Sequence, residues 1–257
     1  MENSQITYNY ELQEFYEDHR RNYELNKELI NKIRNDLKIN TTYKTPKNWL
    51  SKCKEYLSKI ETNKKYKDAM QYYTIVNLGG SHLRDANIIK QENDSFIKLR
   101  IETVNDTFDC NLDSRDELYE FAKKMEIYIK EVMEGCPETT EEFILFRSQK
   151  NEKKYYEFFS TSFMFDVAFD YNQEGSICNN IDVIEVGKGV KCLPMLTVIS
   201  GGLYEILFIS TQNNIEYIIE NSDKKEREMF DKDGLCNYKI TIENTRHIKI
   251  TQKEKNN

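Results

Sequence analysis

The sequence predicts an α+β fold, with helices in the N-terminal part and short strands after Pro137. Over the first 75 residues apolar side chains recur at helical spacing, as at every fourth position from Leu25 to Leu37. After Pro137 the period changes, and short runs rich in Ile, Phe and Tyr alternate with polar or glycine-containing turns. Helices that precede a set of strands are typical of the α+β class. We expect residues 1–75 to form a helical region and residues 76–257 to complete one compact unit with it.

The composition indicates a folded, acidic protein. Of its 257 residues, 17 are Tyr and 13 are Phe, and this aromatic content argues against disorder. A net charge of -7 gives no basic face for duplex nucleic acid, so no nucleic-acid partner is expected. The acidic N-terminus and the lack of a long apolar run predict no signal peptide and no membrane association. We therefore expect a cytoplasmic protein, with delivery into another cell left open.

The six cysteines show no spacing typical of a metal site. They are scattered without a CxxC pair or a Cys/His ligand pattern, so neither zinc nor a disulfide framework is indicated. No metal is expected to take part in the chemistry.

Two helices have recognisable start signals. Thr45 and Pro46 suit an N-cap and a first-turn proline, and Ser114 with Glu117 forms a capping box before an apolar stripe that ends near Gly135. The segment 76–113 between them is ambiguous, because it contains a glycine pair and a run, SFIKLRIETV, that alternates like a strand. The strands expected after Pro137 are FILFRS, YEFFSTSF, IDVIEVG, GLYEILFIS, NIEYIIE and YKITIENTRHIKITQ.

Three of these strands carry polar residues suited to one reaction. In chain order they are Arg147, the cluster Ser160-Thr161-Ser162, and Glu205. A guanidinium on a strand suits bidentate contact with a pyrophosphate. A carboxylate stabilises the positive charge that develops on a ribose when its glycosidic bond breaks. Together they indicate binding and cleavage of a dinucleotide.

This ordered set resembles the R-S-E class of mono-ADP-ribosyltransferases, which includes binary-toxin enzymatic components and arginine-directed enzymes. The resemblance implies an ADP-ribosyltransferase-like fold in which a helical lobe precedes a β-rich sandwich holding the NAD cleft. It also implies that Glu205 drives bond cleavage, that Ser160 holds Glu205 and the nicotinamide ribose, and that Arg147 binds NAD. Thr161, Ser162 and Phe163 complete the implied NAD contacts, with Phe163 or Phe165 as either a stacking ring or a core residue.

Two further strings resemble parts of the same family. Tyr73-Thr74 and Leu83-Arg84 stand at a separation similar to that of the family's helix and turn. The string IDVIEVGKGVKCLPM resembles the strand-turn-strand that precedes the family's acceptor-recognition loop, and the loop would then be the segment 196–204. One position departs from the pattern, because Leu203 stands where arginine-directed members carry the first Glu of Glu-x-Glu. The resemblance assigns that Glu to the acceptor, so arginine is not expected to be modified.

The predicted function is therefore NAD-dependent ADP-ribosyl transfer, with NAD as substrate and a protein as the expected acceptor, of unknown residue type. Two alternatives stay open. The protein could hydrolyse NAD as a glycohydrolase, or it could be a non-catalytic binding module of the same fold.

Overall fold

A computed structural model describes residues 2–77, 89–149, 157–170, 180–195, 205–230 and 236–253. Helices occupy the N-terminal half and strands follow, so the predicted α+β class is confirmed. In chain order the described α-helices are α1 (Glu2–Asp36), α2 (Lys47–Glu61), α3 (Lys64–Asn77), α4 (Asp94–Phe108), α5 (Arg115–Gly135) and α6 (Phe165–Asp170). Within these ranges no helix combines the length and the apolar character that a membrane crossing requires.

The run SFIKLRIETV, whose structure was ambiguous from the sequence, is helical. Asn93 caps α4 by accepting a hydrogen bond from the backbone nitrogen of Phe96 at 2.9 Å. Ile97, Arg100 and Val104 are the buried residues of this helix. Their spacing of three and four is that of one helical face, whereas a strand would have buried every second residue.

Two cap predictions had different outcomes. Ser114 caps α5 as expected, but Glu117 closes the box on the backbone nitrogen of Asp113, at 2.8 Å, rather than on that of Ser114. The Thr45 prediction was wrong. Pro46 is the N-cap of α2 without a side-chain bond, and the Thr45 hydroxyl lies 2.7 Å from Nδ1 of His19. Thr45 thus joins α1 to the loop before α2.

The described strands form a seven-stranded sheet and a separate two-stranded sheet. The strands are β1 (Phe143–Gln149), β2 (Phe158–Ser162), β3 (Asn180–Val186), β4 (Cys192–Pro194), β5 (Glu205–Ile209), β6 (Asn213–Asn221), β7 (Lys225–Phe230), β8 (Cys236–Ile242) and β9 (Asn244–Gln252). The larger sheet has the order β4-β5-β2-β1-β3-β9-β6, and β7 pairs with β8. Only β3 and β9 pair in parallel; the other described pairs are antiparallel.

The last predicted run, YKITIENTRHIKITQ, is two strands and not one. It forms β8 and β9, which belong to different sheets, with a break at Glu243. The short strand β4 is the second strand of the expected strand-turn-strand IDVIEVGKGVKCLPM. The charged strand β7 lacks the apolar alternation of the others, and it was not predicted from the sequence.

Apolar side chains cover both faces of the larger sheet. Neighbours along one strand, such as Phe158 and Phe159, pack into different clusters because successive side chains point to opposite faces. One face, which we call the inner face, carries a cluster shared by β4, β5 and the distant strand β9. The strands between them, β2, β1 and β3, contribute to the same cluster, so it is continuous across this face. We call the opposite side the outer face, and helices α2 to α5 pack there against β2, β4 and β5.

Candidate active site

The fold brings the three sequence-predicted segments together on adjacent strands. β2 lies between β1 and β5, so the strand of Ser160 separates the strands of Arg147 and Glu205. β1 and β2 meet at one described pair, Phe146 opposite Ser162. Ser162 also lies directly opposite Glu205 on β5. The strand order therefore places the three strands that carry the arginine, the hydroxyl cluster and the carboxylate next to one another.

Glu205 is a buried carboxylate on the outer face. Its residue is 4% exposed, and the Tyr73 hydroxyl of α3 donates a hydrogen bond to its Oε1 at 3.2 Å. A buried carboxylate is costly unless it is hydrogen-bonded. The position of Glu205 at the first residue of β5 places it at a strand end. Strand pairing from the sheet and a hydroxyl from the helical lobe thus fix this group.

The hydroxyl cluster divides between the two faces of the sheet. Ser160 lies opposite Leu207 and Ser162 opposite Glu205, so both serines share the face of the carboxylate. Thr161 points to the inner face, where its hydroxyl donates to the carbonyl of Ile206 at 3.3 Å. The Ser162 hydroxyl accepts from the backbone nitrogen of Met164 at 3.0 Å. The strand register thus pairs Ser162, and not Ser160, with Glu205. The resemblance assigns the role of holding Glu205 to Ser160.

Arg147 approaches the same strands from the inner face. It follows Phe146, which shares a face with Ser162, so alternation directs the Arg147 side chain to the opposite side. Its Nη1 donates to the backbone carbonyl of Ser160, and its Cζ lies 6.0 Å from the centre of the Phe159 ring. The guanidinium and the Glu205 carboxylate thus flank β2 from its two sides.

Phe163 and Phe165 are both core residues. The Phe163 ring is fully buried, with ring centres of Phe15 and Phe143 at 5.5 and 5.4 Å. Phe165 is also fully buried and packs edge-on against Phe146 at 5.1 Å. Both rings therefore have the positions of core residues, which is one of the two roles left open by the sequence. We assign no stacking contact with NAD to either ring.

A row of charged residues crosses the inner face beside Arg147. Asp182 on β3 lies opposite Arg147 on one side and opposite Arg246 of β9 on the other. The Nε of Arg246 donates to Oδ1 of Asp182 at 2.6 Å, and Asp182 is fully buried. Two residues earlier on both strands, the Asn244 side chain donates to that of Asn180 at 2.7 Å. The sequence reading missed this row, because strand pairing of distant segments creates it.

The buried cysteines and His19 have the properties of structural residues. Burial raises the pKa of Cys53 and Cys192 above the ordinary thiol value and lowers the pKa of His19 to about 4. A thiol with a raised pKa is a poor nucleophile at neutral pH. Within the described ranges no group of three or more His, Cys, Asp or Glu residues could hold a metal ion.

Tyr73 is the site residue whose role sequence reasoning missed. It was read only as part of a family-like string, together with Leu83-Arg84, and nothing in its local sequence indicates a carboxylate 132 residues away. Several predicted features lie outside the described residues: Leu203, the loop 196–204, Leu83-Arg84 and the glycine pair Gly79-Gly80.

Comparison with known proteins gives matches among solved structures alone. No protein-family model matches the sequence, and no curated protein matches it. Exoenzyme S from Pseudomonas aeruginosa, solved with human 14-3-3 protein beta and carba-NAD, is 15% identical over 54% of this chain, with a TM-score of 0.33. This chain spans 60% of the length of that chain.

A second match is Vis toxin, an ADP-ribosyltransferase from Vibrio splendidus. It is 12% identical over 83% of this chain and 89% of its own, with a TM-score of 0.39. The structure of Vis in complex with agmatine has the same identity and coverage and a TM-score of 0.41.

Proposed function

We propose that the protein is an NAD-dependent ADP-ribosyltransferase of the R-S-E class, which cleaves the nicotinamide-ribose bond and transfers ADP-ribose to an acceptor. The observation that supports this most strongly is the buried Glu205 carboxylate, held opposite a serine-rich strand at a strand end. Cleavage of this bond creates positive charge on the ribose, and a fixed carboxylate stabilises that charge in the transition state. Nicotinamide leaves as a neutral molecule, so the step requires no metal.

Arg147 and the hydroxyl cluster serve NAD binding in this proposal. The Arg147 guanidinium already contacts the backbone of β2 at Ser160, so a diphosphate bound beside β2 lies within reach of the same group. Arginine suits this task because its planar fork matches phosphate oxygens bidentately. Ser160 shares the Glu205 face and can both donate and accept, which suits a contact that bridges the carboxylate and the ribose.

The acceptor is a protein or a small molecule whose chemistry differs from the arginine-directed case. Leu203 precedes Glu205 by two residues, and its apolar side chain cannot bind the cationic group of an arginine. The same residue favours a second candidate function, hydrolysis of NAD, because water requires no recognition by a carboxylate at that position.

One assay separates these functions. The protein is incubated with NAD labelled in the adenosine part, with and without a cell lysate, and both nicotinamide release and label on macromolecules are measured. We expect release together with transferred label. Release with all of the label recovered as free ADP-ribose would identify a glycohydrolase, whereas label on a new small molecule would indicate a small-molecule acceptor. Neither release nor transferred label would contradict both proposals and favour a binding module.

A further inference from the structure

Tyr73 connects the helical lobe to the carboxylate of the proposed active site. It lies on α3, is 3% exposed, and its hydroxyl donates to Glu205 Oε1 at 3.2 Å. Both groups are buried, so water competes little for this hydrogen bond. A hydrogen bond to an ionised acceptor is also stronger than one between neutral groups.

The hydroxyl of Tyr73 is held by packing on a regular element. Its ring belongs to the apolar cluster of the outer face, together with Met70 of the preceding helical turn and Leu207 of β5. α3 also packs along α5, which contacts β5. A group on a packed helix is positioned more precisely than a group on a loop. The donor therefore has a fixed position relative to the strand that carries Glu205.

We propose that Tyr73 is a positioning residue, whose hydroxyl orients the Glu205 carboxylate for stabilisation of the ribosyl cation. This inference rests on the proposed function. The terminal torsion of a glutamate is broad, so an unrestrained carboxylate samples many orientations. Holding Oε1 restricts that rotation and fixes the orientation of the carboxylate. The Tyr73 hydroxyl is a neutral donor, so this contact itself brings no positive charge to the carboxylate.

The preceding residue provides a matched control. Tyr72 is also buried on α3, and its ring packs edge-on against Phe121 at 5.5 Å. Its buried hydroxyl has no hydrogen-bond partner among the residues that the structure describes. Tyr72→Phe and Tyr73→Phe thus remove the same atom at adjacent positions of one helix, and only the second removes a contact with Glu205.

The test compares nicotinamide release by the wild-type protein and the two variants under saturating and limiting NAD. We expect Tyr73→Phe to lower kcat about ten- to a hundredfold, the loss typical of one hydrogen bond to a charged group, with KM for NAD changed less than about twofold. Tyr72→Phe should match the wild type in both constants. Thermal unfolding is recorded first, and Tyr73→Leu replaces Tyr73→Phe if the latter does not fold.

A double-mutant cycle with Glu205→Gln tests whether Tyr73 acts through the carboxylate. In the Glu205→Gln background the further loss caused by Tyr73→Phe should shrink to about threefold or less, because interacting residues are not additive. An undiminished loss there, equal kcat for Tyr73→Phe and Tyr72→Phe, or a change confined to KM would overturn the inference. Absence of release by the wild-type protein would instead refute the proposed function itself.

Discussion

Two buried carboxylates of the same sheet, Glu205 and Asp182, are held in different ways. Glu205 is 4% exposed and accepts from the neutral hydroxyl of Tyr73, whereas Asp182 is fully buried and accepts from the guanidinium of Arg246. The guanidinium is a charged donor and the hydroxyl is a neutral one, so the two contacts affect the negative charge of their carboxylates differently. The comparison teaches that burial alone does not identify a functional carboxylate, and that the chemistry of the donors that hold it is informative.

The largest effect should come from breaking the ion pair. Asp182→Ala leaves the Arg246 guanidinium buried without its carboxylate, and we expect the free energy of unfolding to fall by about 3–5 kcal/mol. Chemical denaturation measures this loss. Asp18→Ala is the control, because Asp18 pairs with the exposed Arg21 at 2.9 Å on the surface of α1. Such a pair contributes about 0–1 kcal/mol. Equal losses for the two variants would contradict a structural role for Asp182.

Glu205→Gln should affect the reaction instead of the fold. We expect kcat for nicotinamide release to fall about 10²- to 10³-fold, the usual loss for one electrostatic stabiliser, with NAD binding nearly unchanged. Isothermal titration measures the binding. Glu157→Gln serves as control, since Glu157 is an exposed residue beside β2 that pairs with Lys130 at 2.7 Å. Unchanged turnover in Glu205→Gln would refute the catalytic role of this residue.

Arg147→Ala should weaken NAD binding. The fold-change in Kd should be smaller than the fold-change in kcat caused by Glu205→Gln. Removal of a charge-assisted contact costs about 1.5–3 kcal/mol, which raises Kd roughly ten- to 150-fold. The Kd of Arg147→Lys for NAD should lie between those of the wild type and Arg147→Ala, because an ammonium keeps the positive charge but cannot bind a phosphate bidentately. Arg21→Ala removes an exposed arginine from α1 and should leave Kd unchanged. A wild-type Kd for Arg147→Ala would exclude this residue from the NAD site.

The smallest effects should separate the two serines that share the face of Glu205. Ser160→Ala should slow turnover by raising the activation free energy by about 0.5–1.5 kcal/mol, the net value of one hydrogen bond. Ser162→Ala should mainly lower stability by a similar amount, since Ser162 accepts from Met164 N. Turnover and denaturation curves are measured for both variants. A larger loss of turnover in Ser162→Ala would assign the bridging role to the serine directly opposite Glu205.

Much of the fold was predictable because the relevant forces act locally. The capping serine of α5, the apolar stripe behind it and the strand runs after Pro137 are set by propensities and spacing over a few residues. Ambiguity arose where one short pattern fits two structures. SFIKLRIETV alternates over part of its length, yet its buried residues follow a helical face.

For the candidate site, the sequence predicted only which residues take part and their order along the chain. Arg147, Ser160 and Glu205 could be named because their strands and sequence order resemble a known pattern. Their arrangement could not be derived, because the opposition of Ser162 to Glu205 and the position of Arg147 on the inner face depend on strand register. Register is set by which faces become buried when the whole sheet packs.

The sequence by itself thus determined the α+β class, most element positions and the candidate residues for dinucleotide chemistry. Tertiary structure alone decided that Tyr73 reaches Glu205, that Phe163 lies in the core, and that Asp182 pairs with Arg246. The physical reason is the range of each interaction. Helix and strand patterns come from neighbours along the chain, whereas the donors to these two carboxylates come from segments 132 and 64 residues away.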